Sequence, residues 1–461
     1  MKNGNHRKIY SQMRGVHLCK KTLAAMLAAG CLLCVLGGCG RGEIKQPGSL
    51  AGTEQALENK VRQLTAPSQG TADAQDLPVS GEETDLLAEG VNQFGLELFA
   101  RLDQSENQFF SPYSISSALS ILDNGAGGQT KAEIETMLGI ADLSGWNQQM
   151  QLFLQKEWSE ETKLLTANSL WIDMQSSLSE KLEADFLAPV SFYYNGEVFQ
   201  ADFSKDGENL VKRINAWVEE HTDGMIKDFK KEVDPDTTMS IINAVFFEGK
   251  WEYPFEGEDT QADGRFRNGK GQWERDVPMM NQWDVRLRYF ETEQFQGVEL
   301  PYKDSSLVMD ILLPGREYDL SAYHGLDRQE QAALWQSFDL SREEEVETLS
   351  MPAFTMDITV EDMPGILQDL GMVSAFGPDA DLDRIGPEKY VQDVAHRARI
   401  EVCEEGTRAA AVTEIVTADG AAIEISDRIE FIVDRPFVYA IRDRNTGMIL
   451  FLGQVVSLAS Q

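Results

Sequence analysis

The body of this chain is almost devoid of cysteine. Of five cysteines, Cys19, Cys31, Cys34 and Cys39 lie in the first forty residues, and Cys403 is the single one that follows. One thiol can form neither an intradomain disulfide nor a cysteine-based zinc site. The sequence therefore excludes a disulfide-stapled framework for the body of the chain.

Basic residues are also few. The chain has 41 Lys and Arg against 76 Asp and Glu, which gives a formal net charge of −35 at pH 7. A nucleic-acid-binding surface must be basic to neutralise phosphates, so this composition argues against a nucleic-acid partner. An acidic, self-repelling surface is typical of a soluble protein and favours a monomer.

The motifs of the common enzyme classes are missing. The sequence contains no Gly-x-Ser-x-Gly, no His-Glu-x-x-His, no Walker loop and no Gly-x-Gly-x-x-Gly fingerprint after a strand. Beyond the first residues, only His221, His324 and His396 are left for acid–base or metal chemistry, and scattered histidines are more often surface or core residues. A surface hydrolase would need a nucleophile–base pair that we cannot assemble. We predict a protein that is not an enzyme, with no metal site and no cofactor.

A short apolar run lies near the start of the chain. Leu23 to Leu36 follows several basic residues, and its 14 residues are too few to span a bilayer as a mature helix. This arrangement predicts a secretion signal over residues 1–38. Leu36-Gly37-Gly38-Cys39 resembles the bacterial lipoprotein cleavage box, which implies a diacylated Cys39. An ordinary signal peptide with an incidental cysteine, and cleavage before Cys31, are the alternatives.

The lipoprotein resemblance implies a lipid-anchored protein on the extracellular face of a bacterial cell membrane or at the cell surface. From Gly40 to about Gly81 the chain is rich in Gly, Ser, Gln, Thr, Ala and Pro and poor in aromatic residues. Such a segment cannot bury enough apolar surface to fold alone, so residues 39–84 are predicted to be a lipidated flexible linker. Residues 85–461 show no further low-complexity break and are predicted to form one domain.

Helix and strand patterns both occur in this domain. Ser111 and Pro112 predict the start of an amphipathic helix, and Thr130 to Glu133 has the spacing of a capping box that would start a second one. Apolar strand patterns lie at 241–247, 307–313, 431–433, 437–441 and 448–452, and the polar loop 442–447 predicts a hairpin. Helices come first and strands crowd the C-terminus, which favours an α+β fold over a wound parallel sheet.

The segment from Glu404 to Ile423 has an unusual composition. Gly406 to Thr413 is dominated by small residues, the next four residues include β-branched ones, and residues 418–422 are again small. Composition alone leaves two interpretations open, a short Ala-rich helix and a loop.

Several ordered segments between about Asn92 and Val456 resemble the serpin family. They are Phe109 to Ile115, Asn124 to Thr130, Asn168 to Trp171, Ile214 to Val218, Asn243 to Trp251, Val298 to Tyr302, Leu370 to Met372, Val394 to Ala398, Glu404 to Thr407 and Asp434 to Phe437. Gly127 and Gln129 depart from the family pattern, which more often has a basic residue and Asn there. The resemblance implies a serpin fold with a large central, mostly antiparallel sheet, surrounding helices and an exposed reactive loop.

The resemblance also implies suicide inhibition of serine proteases, with cysteine proteases as further targets. A protease cuts the loop and forms an acyl-enzyme, and the loop then inserts into the sheet as an extra strand. The implied hinge comprises Glu404, Gly406, Thr407, Ala409, Ala410, Ala411, Val412 and Thr413. An inserting strand turns alternate side chains into the core. Thr407, Ala409, Ala411 and Thr413 would face inward, and Arg408, where the family commonly has Glu, would face outward with Ala410, Val412 and Glu414.

Five further residues match family positions that control opening of the sheet. Ser111, Ser114, Asn243 and His396 match positions beneath the sheet, with His396 as a structural switch residue and not a base. Trp251 matches the point at which the loop first inserts.

The family count places the reactive bond at Gly420-Ala421. A slip in register would instead bring Asp419 or Ala422 into the bond. The small residues around this bond favour an elastase-like or subtilisin-like target, whereas Asp419 before the bond would suit an Asp-specific protease. The main alternative function is that of a non-inhibitory serpin serving as a surface binding or carrier protein. Such proteins usually carry bulky or charged inward hinge residues, and this hinge has none.

Overall fold

The computed structural model describes residues 61–65, 81–205, 207–407 and 428–459. Cys39 with the predicted signal, most of the predicted linker, and the loop residues 408–427 lie outside the described residues. The predictions for Ala409 to Thr413 and for the bond region Asp419 to Ala422 therefore stay predictions, as do the domain boundaries.

The helices of the described residues are numbered along the chain. They are α1 (Gly81–Phe99), α2 (Pro112–Gly125), α3 (Gly128–Leu138), α4 (Leu143–Leu154), α5 (Ala188–Tyr194), α6 (Gly207–His221), α7 (Ser321–His324), α8 (Arg328–Leu340) and α9 (Met363–Asp369). In the described ranges, no helix is long and apolar enough to cross a membrane.

Helix α2 begins where the sequence predicts. The Ser111 side chain accepts a hydrogen bond from the Ser114 N–H, and Pro112 occupies the first turn, where its missing N–H costs nothing. The expectation of an amphipathic helix is wrong, because every residue of α2 is buried. Its polar side chains have partners inside the protein; Ser120, for example, accepts a hydrogen bond from the Trp146 indole at 2.8 Å.

The predicted capping box at the start of α3 is wrong. The helix begins at Gly128, before Thr130, and Gly127 caps it without a side-chain hydrogen bond. The Thr130 hydroxyl instead accepts the Asp381 N–H at 2.9 Å. The Glu133 carboxylate accepts the N–H groups of residues 373 and 374. Both side chains therefore form hydrogen bonds with a segment that is distant in sequence.

The strands are numbered in the same way. They are β1 (Val61–Gln63), β2 (Gln108–Phe110), β3 (Thr162–Asp173), β4 (Glu197–Ala201), β5 (Met239–Lys250), β6 (Gln261–Arg267), β7 (Trp273–Glu291), β8 (Phe295–Pro301), β9 (Leu307–Pro314), β10 (Arg342–Pro352), β11 (Phe354–Thr359), β12 (Asp393–Cys403), β13 (Gly406–Thr407), β14 (Ile429–Ile432), β15 (Phe437–Asp443) and β16 (Met448–Val455). The predicted strands fall within β5, β9, β15 and β16, and the one predicted at 431–433 begins earlier, at Ile429.

These strands form two mixed, predominantly antiparallel sheets. The first has the order β1-β4-β3-β5-β13-β12-β11, and the second the order β14-β10-β7-β8-β9-β15-β16-β2, with β6 paired to β7. The predicted hairpin joins β15 to β16, and Gly447 in its loop has a φ of 70°, a conformation that favours glycine. The α+β fold class is confirmed.

Two apolar clusters cover the two faces of the first sheet. The larger one is the main core, which includes Val245 of β5 and Ala398 of β12. The smaller one contains residues of α6 and the opposite face of the sheet, including Ile242 and Ala244 of β5. Helix α6 therefore lies over the outer face, and successive residues of β5 alternate between the two clusters.

Strand β1 lies in the segment predicted to be a flexible linker. Val61 to Gln63 pairs antiparallel with β4 and forms the outer edge of the first sheet. Composition did not indicate this strand, because its stability comes from the backbone groups that β4 presents at the edge. For residues 61–65 the flexible-linker prediction is therefore wrong.

Candidate functional site

Strands β5 and β12 form a seam near the middle of the first sheet. They pair in parallel over seven positions, from Ser240 with Asp393 to Phe246 with Arg399. Beyond this stretch the strands diverge, and β13 lies between them. Thr407 pairs with Gly249 on one side and with Val402 on the other. The first residues of the predicted hinge thus already occupy a fork at one end of the seam.

Close packing at the fork requires glycine at position 406. A Cβ atom on Gly406 would lie 2.2 Å from the carbonyl oxygen of Gly249 and 2.7 Å from the Cα of Lys250. Neither backbone atom can move without breaking the strand pairing. Larger residues are therefore excluded at the base of the loop.

Glu404 is held in place at the turn before β13. Its side chain is buried, and Oε1 accepts a hydrogen bond from the Thr260 hydroxyl at 2.8 Å. Its carbonyl oxygen accepts the Phe255 N–H at 2.9 Å. These contacts fix the turn that leads into β13.

The buried Trp251 lies beside the same fork. Its indole N–H donates to the Cys403 carbonyl at 3.0 Å, and its backbone N–H donates to the Glu405 carbonyl at 3.0 Å. The ring stacks on Tyr302 with centroids 4.7 Å apart, and the Tyr302 hydroxyl lies 2.6 Å from the hydroxyl of the fully buried Thr407. Trp251 and Tyr302 therefore hold the fork through both stacking and hydrogen bonds.

A second cluster lies at the middle of the seam. His396 and Asn243 are direct partners in the β12–β5 register, and His396 Nδ1 is hydrogen-bonded to Asn243 Oδ1. The Ser111 N–H donates to His396 Nε2 at 3.1 Å. Because Nε2 accepts, the proton lies on Nδ1 and donates to the amide oxygen. His396 is therefore a neutral imidazole that joins both strands to the start of α2.

The serines predicted to control sheet opening belong to this cluster. The Asn243 amide donates to the Ser114 hydroxyl at 2.7 Å and also to Asn168 Oδ1. The Ser111 hydroxyl donates to the Leu450 carbonyl at 2.6 Å. The start of α2 is thus hydrogen-bonded to β5 through Asn243, to β12 through His396 and to the second sheet through Leu450.

Burial disfavours the charged form of His396. The ring is fully buried, and desolvation lowers the pKa of His396 to about 3. A protonated ring would place an N–H against the N–H of Ser111, which removes an acceptor. With so low a pKa the ring takes up no second proton at neutral pH, so His396 is suited to a structural role.

The structure brings Ser111, Ser114, Asn243 and His396 into one network and places Trp251 in the separate cluster at the fork. Sequence reasoning assigned no role to Tyr302, Asn168 or Thr260. Tyr302 and Asn168 lie within segments that carry the family resemblance, and that signal could have identified them. No local pattern marks Thr260, whose contact with Glu404 spans 144 residues of chain.

Metal chemistry finds no support in the described part of the chain. No three His, Cys, Asp or Glu side chains there are grouped so that they could hold a metal ion. Cys403 is a free, buried thiol whose pKa is raised by burial, which makes it a poor nucleophile.

Comparisons with known proteins agree on one family. The family model described as Serpin (serine protease inhibitor) matches residues 89–458. An uncharacterized serpin-like protein of Thermococcus kodakarensis is 30% identical over 433 residues, which covers 92% of this chain and 97% of that protein. The crystal structure of a thermophilic serpin, tengpin, in the native state matches with a TM-score of 0.72 at 29% identity, covering 87% of this chain and 100% of that one. Thyroxine-binding globulin in complex with thyroxine matches with a TM-score of 0.70 at 26% identity, covering 82% and 100%.

Proposed function

The chain belongs to the serpin family of serine protease inhibitors, and we propose that it is a suicide inhibitor that traps its target protease as an acyl-enzyme. The catalytic serine of the protease attacks the carbonyl carbon before the scissile bond, an ester forms, and the peptide C–N bond breaks. The proton from the serine hydroxyl is transferred to the released amine. The upstream part of the cut loop then inserts between β5 and β12 and carries the protease with it.

The strand pairing of Thr407 is the observation that carries this proposal. Thr407 is antiparallel to both β5 and β12, so each further residue of an inserting strand would pair one position further along each of them. Continuing both registers brings Thr413 opposite Asn243 on one side and His396 on the other. These two residues are themselves partners in the closed seam, so the two registers agree with each other.

The composition of the hinge fits this register. Ala411 would come opposite Val245 and Ala398, which are both fully buried and face the main core. Small side chains enter such a space with little steric resistance. Thr413 would reach the network at the middle of the seam, where its hydroxyl could accept a hydrogen bond from His396 and donate one to Asn243. Insertion would thus replace the hydrogen bond that it breaks.

Arg408 also fits the inserted strand. In the same register it would lie on the outer face between Glu248 of β5 and Glu401 of β12. An Arg between two carboxylates is favoured electrostatically, although such partly exposed pairs contribute only about 0.2–1 kcal/mol each. The departure from the Glu that is common in the family is therefore matched by the acidic residues beside it.

Strand exchange supplies part of the driving force. The closed seam is a parallel pairing, which is slightly less stable per residue than an antiparallel one. An inserted strand would replace it with two antiparallel pairings, one on each side. The inserted sheet therefore satisfies more backbone hydrogen bonds than the closed one.

The target and the location are proposed from the sequence. The small residues around Gly420-Ala421 support an elastase-like or subtilisin-like serine protease, with some cysteine proteases as further targets. The Leu36-Gly37-Gly38-Cys39 box supports a lipid anchor at Cys39 and a position on the extracellular face of a bacterial membrane. The acidic composition supports a monomer with no nucleic-acid partner.

The proposal is tested by mixing the purified chain with elastase, subtilisin or trypsin and separating the products in denaturing detergent. We expect a covalent complex with elastase or subtilisin, and a released C-terminal fragment that begins at Ala421 by mass spectrometry. Trypsin, which requires Lys or Arg before the bond, should give no complex. Loop cleavage with fully active protease at every ratio would contradict inhibition and favour the carrier function.

A further inference from the structure

Three elements of the first sheet region meet at one carboxylate. Glu197, the first residue of strand β4 next to the edge strand β1, is 5% exposed. It accepts hydrogen bonds from Gln63 of β1 at 2.5 Å and from the Trp217 indole of α6 at 3.0 Å. His221 Nε2, at the end of α6, lies 2.7 Å from the same oxygen as the indole. We refer to Gln63, Glu197, Trp217 and His221 as the Glu197 junction.

The contacts of His221 require both of its ring nitrogens to carry a proton. Nδ1 lies 2.8 Å from the carbonyl oxygen of Trp217, and Nε2 faces the Glu197 carboxylate. A carbonyl and a carboxylate can only accept, so each contact needs an N–H donor. A neutral imidazole has one N–H and satisfies one contact, whereas an imidazolium satisfies both. The ring is also held by stacking on Trp217, with centroids 4.5 Å apart.

The N-terminal strand depends on the same corner of the sheet. Thr65 accepts the Val198 N–H at 2.8 Å and donates to the Gly196 carbonyl at 3.3 Å. The Leu64 N–H donates to the Val198 carbonyl at 2.7 Å. Gln63 adds the side-chain contact to Glu197. Residues 196–198 therefore anchor both residues 63–65, at the end of β1, and helix α6, which lies over the sheet.

We propose that the Glu197 junction is a pH-sensitive latch, in which protonated His221 fastens the end of α6 and the N-terminal strand to the edge of the sheet. The latch does not depend on protease inhibition, because all of its contacts exist in the uncleaved domain. When His221 loses its proton, one of its two hydrogen bonds is lost, and Glu197 is left with one fewer donor when that bond is the one to its carboxylate.

The charges around His221 favour the protonated form. Burial of the ring lowers its pKa, but the hydrogen bonds to Glu197 and to the Trp217 carbonyl, together with the charges of Glu197 and Glu220, outweigh burial and leave the pKa of His221 above its ordinary value. Glu197 lies on the strand and Glu220 on the helix, while Gln63 from β1 is neutral. Because the folded pKa is raised, the stability that protonated His221 contributes is present below its ordinary pKa of about 6.5 and is lost as the pH rises through the folded pKa.

Hydrogen exchange of the full chain, measured as protection factors at pH 5.5 and pH 8.5, tests the latch without any protease. We expect the amides of α6 and β4 to be about two- to fivefold more protected at pH 5.5, the size of effect expected for a partly exposed ion pair. His221→Gln, which keeps one N–H donor, should remove this difference. His324→Gln is a matched control, because His324 also ends a helix and is half-buried, hydrogen-bonded to Gln454 at 2.9 Å.

Glu197→Gln provides a second variant that keeps the shape of the acceptor and removes its charge. It should also abolish the pH dependence of protection. If the wild-type chain shows equal protection at both pH values, or if His221→Gln retains the wild-type difference, the latch does not exist. Loss of the difference in His324→Gln would equally overturn the assignment to His221.

Discussion

His396 of β12 and Asn243 of β5 face each other at the fourth of seven paired positions in the seam, and their side chains share a hydrogen bond. Any strand that enters this seam must separate them. The same network reaches Ser111 and Ser114 at the start of α2. The closed sheet is therefore held at its centre by side chains as well as by the backbone ladder.

Acidification should destabilise the closed sheet through His396. Its pKa is lowered to about 3 in the folded protein, so its contribution to stability is complete above about pH 6.5 and is lost as the pH falls toward 3. The slope attributable to this residue should approach about 1.4 kcal/mol per pH unit. The measurement is the urea unfolding free energy at pH 7.5 and pH 5, in wild type and in His396→Gln. An identical pH dependence in both proteins would count against this assignment.

Arginine should prevent loop insertion at one hinge alanine and be tolerated at its neighbour. Ala411→Arg places a charge on the inward face opposite Val245 and Ala398, and insertion would then bury it without a partner. Ala410→Arg places the same charge on the outer face. We expect the first variant to be cleaved as a substrate and the second to form complex nearly as well as wild type. The number of inhibitor molecules consumed per protease molecule measures the difference, and equal values would refute the inward register.

Reversing the charge of Arg408 should weaken the inserted strand. Arg408→Glu would bring a third carboxylate beside Glu248 and Glu401, and we expect loop insertion about two- to fivefold slower, from the 0.2–1 kcal/mol of exposed pairs. Adding Glu248→Arg should restore the rate in part. The rate of complex formation at low salt, measured for both single variants and the double variant, gives the coupling. Additive effects would show that the two residues do not meet.

Loss of the Tyr302 hydroxyl should loosen the base of the loop. In Tyr302→Phe the buried Thr407 hydroxyl loses its partner, and the intact protein should be destabilised by about 1–3 kcal/mol. Thermal unfolding checks this, and Tyr253→Phe, at a half-exposed tyrosine, is the control. A shift of equal size in both variants would mean that the Thr407 contact contributes nothing specific.

Removal of the proposed lipid site should release the protein from membranes. Cys39→Ser cannot be acylated, so the chain expressed in a bacterium should move from the membrane fraction to the soluble or secreted fraction. Fractionation followed by mass spectrometry of the N-terminus tests this. Retention in the membrane by the serine variant would argue for a different means of attachment.

Local pattern was reliable where neighbouring residues supply the partners. Ser111 caps α2 through the adjacent Ser114, and the hairpin between β15 and β16 follows from a short polar loop with a glycine at positive φ. The pattern at Thr130 and Glu133 had the spacing of a capping box, yet both side chains bind a segment about 240 residues away. Spacing identifies a side chain able to cap a helix, but the packing decides which backbone it caps.

His221 is a second residue whose role depends on packing and not on its local sequence. In the sequence it was one of three scattered histidines with no surrounding motif. Its importance depends on Glu197, 24 positions earlier, and on Gln63, in a segment whose composition is typical of a linker. Edge pairing placed those residues together, and no periodicity or composition records that pairing.

The sequence by itself determined the family and the α+β class, and it predicts a hinge of alternating small residues, because these depend on residue types at fixed spacing along the chain. The tertiary structure decided the register. It placed Thr407 at the fork, paired His396 with Asn243 in the seam, and brought Gln63 and His221 to Glu197. These relationships join strands that are distant in the chain, and their partners are selected by backbone pairing and burial, which act only once the sheet has formed.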